Sequence, residues 1–199
     1  MIPKNYLGKL YLADKKSSAE IAKLLSCSAG RIDYWLDAHQ IKKRSISDAG
    51  YIKHNPAGDP FTYNPPQSLD DSFLAGLGVG LYWGEGNKKN KHAVRLGNSD
   101  PRLIRAFLNY LIKIWGIRKE KLRFGLQIFT DINADESLRY WVKELNVPKS
   151  AFQKVVVTIS GKIGTYREKS KYGVVTLYFN NKKLRDLICK SIDRAALLR

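Results

Sequence analysis

Between Ser72 and Gly86 the chain reads SFLAGLGVGLYWGEG, an apolar run in which Gly76, Gly80 and Gly84 recur every four residues, with Gly78 between them. Ser68 and Asp71 stand just ahead of it in an S-x-x-D pattern, a helix-start signal. The run is therefore expected as a helix. Each glycine inside a helix costs about 1 kcal/mol relative to alanine. A helix that keeps several at i, i+4 spacing has a face stripped of side chains, along which two helix backbones can touch. The partner can be another helix of the same chain or a second copy of this one. The helix closes on Gly84-Glu85-Gly86 and so delivers a carboxylate where the helix macrodipole is negative. A bound divalent cation would remove that conflict; solvation of an exposed helix end would tolerate it. Two such helices, one from each subunit, would bring two carboxylates to a shared axis, where two metals could serve two phosphates.

Downstream, helices and strands alternate. Lys88, Lys89 and Lys91 follow the glycine helix directly, and residues 92–97 read as a strand. Asp100 reads as an N-cap with Pro101 at the first helical position, opening a helix that carries Leu103, Ile104, Phe107, Leu108, Leu111 and Ile112. A strand is expected at 121–130. A helix follows at 134–145, capped by Asn133 with Glu136 at N3, and holds Leu138, Trp141 and Leu145. Residues 152–160 and 173–179 read as antiparallel strands, and a last helix as 181–196. Such alternation predicts an α+β domain.

The N-terminal part is different. Tyr6, Leu7, Leu10 and Tyr11 fall at helical spacing. Ser17 and Glu20 form a capping box for a helix with Ile21, Leu24 and Leu25. After a break at Ser26-Cys27-Ser28, a third helix from about Ala29 to His39 turns Ile32, Trp35 and Leu36 inward. Two helices joined by a tight turn make a helix-turn-helix over residues 1–45, similar to the homeodomain-like units of recombinases and regulators. In such units the third helix enters the major groove. That places Ser28, Arg31 and Tyr34 toward bases, with Lys42, Lys43 and Arg44 behind them for phosphate. A trihelical protein-interaction module has the same pattern, and Asp33 and Asp37 weigh toward it. Residues 46–67, rich in Pro, Gly and Asn, read as an extended linker pinned by Phe61 and Tyr63.

Charge bears on the partner. The chain has 35 Lys and Arg against 18 acidic residues, net +17. Residues 1–68 hold 10 basic and 6 acidic side chains; the rest hold 25 and 12, net +13. A phosphate-rich partner accounts for this excess; a solubilising surplus or acidic lipid would share the sign. Cys27 and Cys189 are the only cysteines and fall in apolar helical patterns, which predicts buried thiols in a reducing compartment. His39, His54 and His92 lack Cys or His neighbours at zinc spacing, which argues against a zinc finger, an HNH-type nuclease centre and a Cys/His hydrolase. There is no apolar signal core and no run of about 18 apolar residues. A cytoplasmic protein without membrane contact is expected, associated with a prokaryotic nucleoid if DNA is the partner.

The segment Gly80-Leu-Tyr-Trp-Gly-Glu-Gly86 resembles the end of the LAGLIDADG motif of homing endonucleases in its G-x-x-D-G-E-G form, and the resemblance extends over roughly residues 69–198. It implies a saddle-shaped antiparallel sheet with helices over 68–199, lying in the major groove of double-stranded DNA. It further implies a homodimer through Gly76 and Gly80, since one motif is present, and Mg²⁺-dependent phosphodiester hydrolysis. Gly84 and Glu85 match the metal-holding position, with two Mg²⁺ per dimer, and one of Lys154, Lys171 and Lys182 would stabilise charge or tune the water. DNA contacts would come from Lys88, Lys89, Lys91, Arg95, Arg123, Lys154, Lys162, Arg167, Lys169 and Lys171, with Gln127, Gln153, Thr158 and Thr176 able to read base edges. Trp83 departs from the family, standing where many members carry an acidic residue. That departure and the altered first half, Leu77-Gly-Val-Gly80, admit a second reading: a catalytically inactive relative that acts as a transcriptional regulator, as in bacterial proteins combining a helix-turn-helix with a degenerate LAGLIDADG domain. An RNA-binding or maturase role also suits the charge.

Overall fold

A computed structural model describes residues 1–159 and 170–197. The chain divides into two units, Met1–Pro60 and Phe61–Arg199, each with its own core.

In the first unit α1 (Lys4–Gly8) continues into a π-helical turn over Lys9–Ala13, followed by α2 (Ser18–Leu24), α3 (Ala29–Ala38) and α4 (Ile46–His54). Ser17 caps α2 in a complete capping box with Glu20. Between α2 and α3, Ser26 takes a left-handed φ of 49°, and the Cys27 amide donates back to the Ala22 carbonyl at 2.9 Å. This turn lets Ile21 and Ala22 of α2 share a core with Ile32 and Leu36 of α3, closed by Leu7, Leu10, Tyr11 and Ile41. Asp33 accepts from the Ser18 hydroxyl at 2.7 Å, tying α3 to the start of α2.

The extended linker expected at 46–67 is corrected at its start. Residues 46–54 are helical because the Ser45 side chain accepts from the Asp48 amide, the same S-x-x-D signal that starts other helices here. The Pro- and Asn-rich stretch begins only afterwards. Phe61 and Tyr63 belong to the second unit: both rings pack on Trp115, with centroids 6.0 and 5.2 Å away. The Thr62 amide donates to the Trp115 carbonyl at 3.0 Å.

The second unit runs α5 (Leu69–Glu85), β1 (Val94–Asn98), α6 (Pro101–Lys113), β2 (Arg123–Phe129), α7 (Ala134–Leu145), β3 (Val156–Thr158), β4 (Val174–Phe179) and α8 (Lys182–Ala195). It is an α+β unit. Asp100 caps α6 with Pro101 behind it, and Asn133 caps α7. The strands form one sheet in the order β1-β4-β2-β3. The all-antiparallel expectation is corrected: β4 is antiparallel to β1 and β2, but β3 lies parallel to β2. The strand pair expected to face each other, β3 and β4, are not neighbours. The cause is α7, a helical crossover long enough to return the chain in the same direction.

Alternation splits each strand into two faces. Val94, Leu96, Phe124, Leu126, Ile128, Val175, Leu177 and Phe179 point to the core, where they meet Ile104, Phe107 and Leu111 of α6, Trp141 of α7 and Ile188 of α8. Trp141 donates from its Nε1 to the Tyr172 carbonyl at 2.8 Å. Among the described residues no helix is long and apolar enough to cross a membrane.

The glycine helix packs inward through a residue other than those of its ladder. Gly78 is the buried one, and a Cβ built there would lie 2.1 Å from the Tyr110 ring of α6. A Cβ at Gly76, Gly80 or Gly84 would meet nothing within 4 Å among the described residues. Those three glycines lie on an exposed surface of α5 that also carries Leu69, Phe73 and Trp83, which are 89%, 73% and 49% exposed.

Candidate nucleic-acid interface

The face of the sheet away from the core is built in rows that run across the strands. In the first row Arg95 of β1, Tyr178 of β4 and Arg123 of β2 stand in register. In the second, Gly97, Thr176 and Gly125 do, so Thr176 is the one side chain between two glycines. A third row joins Val174, Gln127 and Val156. Thr158 lies just beyond, and its hydroxyl accepts from Gln127 Nε2 at 3.1 Å. This parity gathers Arg95, Arg123, Gln127, Thr158 and Thr176 on one surface. The four strands contain no Asp or Glu. A cationic surface with amide and hydroxyl groups and a low, glycine-flanked middle suits a polyanion that approaches closely.

Within the first row the Arg95 guanidinium lies 5.7 Å from the Tyr178 ring centroid. Burial pushes the Tyr178 hydroxyl above its ordinary pKa, opposed by the positive charges of Arg95 and Arg123. Arg123 is anchored by Nη1, which donates to the Glu120 carbonyl at 2.6 Å and the Leu122 carbonyl at 2.9 Å. Sequence reasoning named the arginines but not Tyr178. Thr176 and Tyr178 visibly share a face; which face is solvent-side depends on helices far along the chain. Gly97 and Gly125, single glycines inside strands, were the available signal.

The remaining basic residues separate by structure. Lys154 and Lys171 are exposed, the latter with its ammonium 5.2 Å from the Tyr172 ring. Lys182, at the start of α8, pairs with Asp186 at 3.5 Å. Lys89 and Lys91 are exposed in the segment before β1. Lys162, Arg167 and Lys169 lie outside the described residues.

In the first unit Arg31 and Tyr34 are exposed on α3, and Ser28 is its N-cap, accepting from the Arg31 amide. Lys42, Lys43 and Arg44, expected together behind α3, are held in different ways. Arg44 folds back, donating to the Lys15 carbonyl at 2.8 Å and to the Lys16 carbonyl, with its guanidinium 4.2 Å from the Tyr11 ring centroid. Lys43 pairs with Asp37 at 2.7 Å. Lys42 is exposed. The cysteines are half-buried rather than fully buried, and burial raises the Cys189 thiol pKa.

Glu85 closes α5 with an exposed side chain. The bare helix end is met from within the chain: Lys88 donates from Nζ to the Trp83 carbonyl at 2.6 Å and to the Tyr82 carbonyl at 3.5 Å. An ammonium on the last carbonyls supplies the positive charge that the dipole favours there. Lys88 is therefore engaged at the helix end. Among the described residues no group of three or more His, Cys, Asp or Glu is placed to hold a metal ion. The Glu85 carboxylate and the Gly84 backbone stand together at the end of α5 on one chain; a second Glu85 would come from another copy.

Compared with protein-family models, with curated proteins and with solved structures, the chain matches none.

Proposed function

We propose that this chain binds double-stranded DNA as a homodimer, using the outer face of its sheet as the principal contact and the first unit as a second one, and acts as a DNA-binding regulator. The observation that carries the reading is the convergence of Arg95, Arg123, Gln127, Thr158 and Thr176 on one carboxylate-free sheet face. A saddle-shaped surface of the LAGLIDADG kind would lie along a groove in this way. The net +13 of residues 69–199 supplies the long-range attraction. Arg31, Tyr34 and Lys42 would add the contacts of the helix-turn-helix. Pairing of two copies through α5 would cover Phe73, Gly76, Gly80 and Trp83, whose exposure together on one helix is otherwise unexplained.

Lys88 favours binding without cleavage, because it neutralises the helix end that a metal would otherwise serve. A second reading, a Mg²⁺-dependent homing endonuclease, is favoured by the retained carboxylate of Glu85 at that same end. It would require two Glu85 side chains brought together by pairing.

Sedimentation of the full chain tests the dimer. The wild type is expected to sediment as a dimer and Gly80→Leu as a folded monomer, because a side chain at 80 meets open space within its own chain. A monomeric wild type at all accessible concentrations refutes the pairing. Titration with duplex DNA tests the partner. For about six to ten phosphate contacts, affinity falls on the order of a thousandfold or more between roughly 50 and 200 mM salt; a flat titration removes DNA as the partner.

A further inference from the structure

We propose that Arg95, Tyr178 and Arg123 form a single phosphate clamp, gripping one backbone phosphate between two guanidinium groups; this rests on the DNA-binding reading and gives it a specific site. The three residues stand in register on adjacent strands, with Tyr178 in the middle. Adjacent strands lie about 4.8 Å apart, so the two arginines flank the tyrosine: the Arg95 guanidinium lies 5.7 Å from its ring centroid, and Arg123, held through Nη1 by the Glu120 and Leu122 carbonyls, has its other nitrogens left to donate.

Two polar groups of the row, the Tyr178 hydroxyl and the Arg95 Nε, are left unpaired among the described residues. Tyr178 is only 7% exposed and sits outside the apolar core cluster, and its hydroxyl has no hydrogen-bond partner among the described residues. The neighbouring Nε of Arg95 is likewise buried and without a partner among the described residues. Buried polar atoms are nearly always hydrogen-bonded, and leaving one unpaired carries a real penalty. The guanidinium groups carry only donors, and the protonated phenol can add another. No carboxylate occurs on the strands to answer them. What fits is a compact oxyanion with several acceptor oxygens, and the bidentate match of guanidinium to phosphate makes phosphate the natural one. Thr176 and the glycines beside it keep the adjoining row low enough for a nucleic-acid backbone to come down onto the strands.

The same chemistry is offered by a free phosphate ion, so the test has two arms, both on the full chain. In the first, binding to a mixed-sequence 30-base-pair duplex is followed by fluorescence anisotropy across a range of salt, for Arg95→Gln, Arg123→Gln and the double variant. Losing one phosphate contact lowers the salt slope by about one. A shared phosphate predicts a drop well under one for each single variant, because the other guanidinium still holds it, and about one for the double; separate phosphates predict about one for each single variant and about two for the double. In the second arm, inorganic phosphate is titrated while the Nε–H signals of Arg95 and Arg123 are followed by NMR. Both should move together and saturate, and Tyr178→Phe, which removes only the hydroxyl, should weaken the binding by about tenfold.

Non-additive slopes with linked, saturable shifts establish the clamp on DNA. Linked shifts in a chain that does not bind the duplex keep the phosphate site and overturn the DNA reading. Additive slopes without linked shifts keep DNA binding and overturn the clamp. No duplex binding and no shift overturns both.

Discussion

Replacing Gly78 and Gly80 by alanine should move stability in opposite directions, although the two glycines are two residues apart on one helix. At Gly78 the added Cβ would lie 2.1, 2.3 and 2.5 Å from three carbons of the Tyr110 ring. Ordinary carbon–carbon contact is about 3.5–4.0 Å, so the ring must retreat by more than about 1 Å. It has little room: Tyr110 is 1% exposed and packs against Phe107 with centroids 5.7 Å apart. Overpacking of this kind costs up to about 3 kcal/mol, while the helix gains about 1 kcal/mol when alanine replaces glycine. The net loss at Gly78 is up to about 2 kcal/mol, a Tm lower by as much as roughly 6–8 °C for a domain of this size. At Gly80 nothing among the chain's own described residues lies within 4 Å, so below the concentration at which copies pair the helix gain stands alone and Tm rises by roughly 3–4 °C. Thermal unfolding followed by circular dichroism in dilute samples reads both. Gly78→Ala as stable as wild type, or both variants shifting the same way, would refute the assignment of inner and outer faces of α5.

Four further outcomes are expected. Arg44→Ala should destabilise the first unit by about 1–3 kcal/mol and leave the salt slope of DNA binding unchanged, whereas Lys42→Ala should lower that slope by about one without changing stability; urea unfolding and anisotropy separate them. Glu85→Gln removes a charge from an end of α5 that Lys88 already neutralises, so it should change stability by less than about 0.3 kcal/mol and hold or slightly raise DNA affinity. Should the wild type cut DNA in Mg²⁺, the same variant should lose that activity by orders of magnitude; full cleavage by it would remove Glu85 from any metal role. The Arg102 guanidinium beside Asp100, followed by the Arg102 backbone amide, holds the Asp100 carboxyl below its ordinary 3.8. A depressed carboxyl contributes stability above its unfolded value and loses it as pH falls through the folded one. Asp100→Asn should therefore melt slightly lower than wild type at neutral pH, by less than about 1 kcal/mol for so exposed a pair, and match it in strong acid. Ser45→Ala should cost about 1 kcal/mol in α4, visible as faster amide exchange over 46–54 and nowhere else.

Much of the local structure was legible because caps are local. Ser17 with Glu20, Asp100 with Pro101, and Asn133 each announce a helix within four residues, and all three helices begin where they stand. Ser45 with Asp48 is the same signal, obscured by the Pro, Gly and Asn that follow. Direction and order in the sheet were not legible, since β3 owes its parallel pairing to the passage of α7. The candidate site was half legible: composition shows that Arg95 and Arg123 are cationic, but only their registration on Tyr178 makes them a pair. Sequence alone likewise could not distinguish Lys42 from Arg44, because the carbonyls that hold Arg44 lie 28 and 29 residues away. Nor could it show that Gly78 rather than the ladder packs inward, which is decided by Tyr110 on another helix.

The clasp of Arg44 has a consequence for how small a folded piece of this chain can be. A unit of about 60 residues buries only about 60% of the surface its unfolded chain exposes, which leaves it marginal. Units of that size commonly rely on a disulfide or a metal as a staple. Both thiols of this chain are free, one in each unit. Arg44 performs the staple's task by non-covalent means, joining the segment after α3 to the chain leaving the first helical stretch. A fragment cut before it would keep its three leading helices and lose the tie between their ends, whereas one ending near Pro60 would carry its own closure with it.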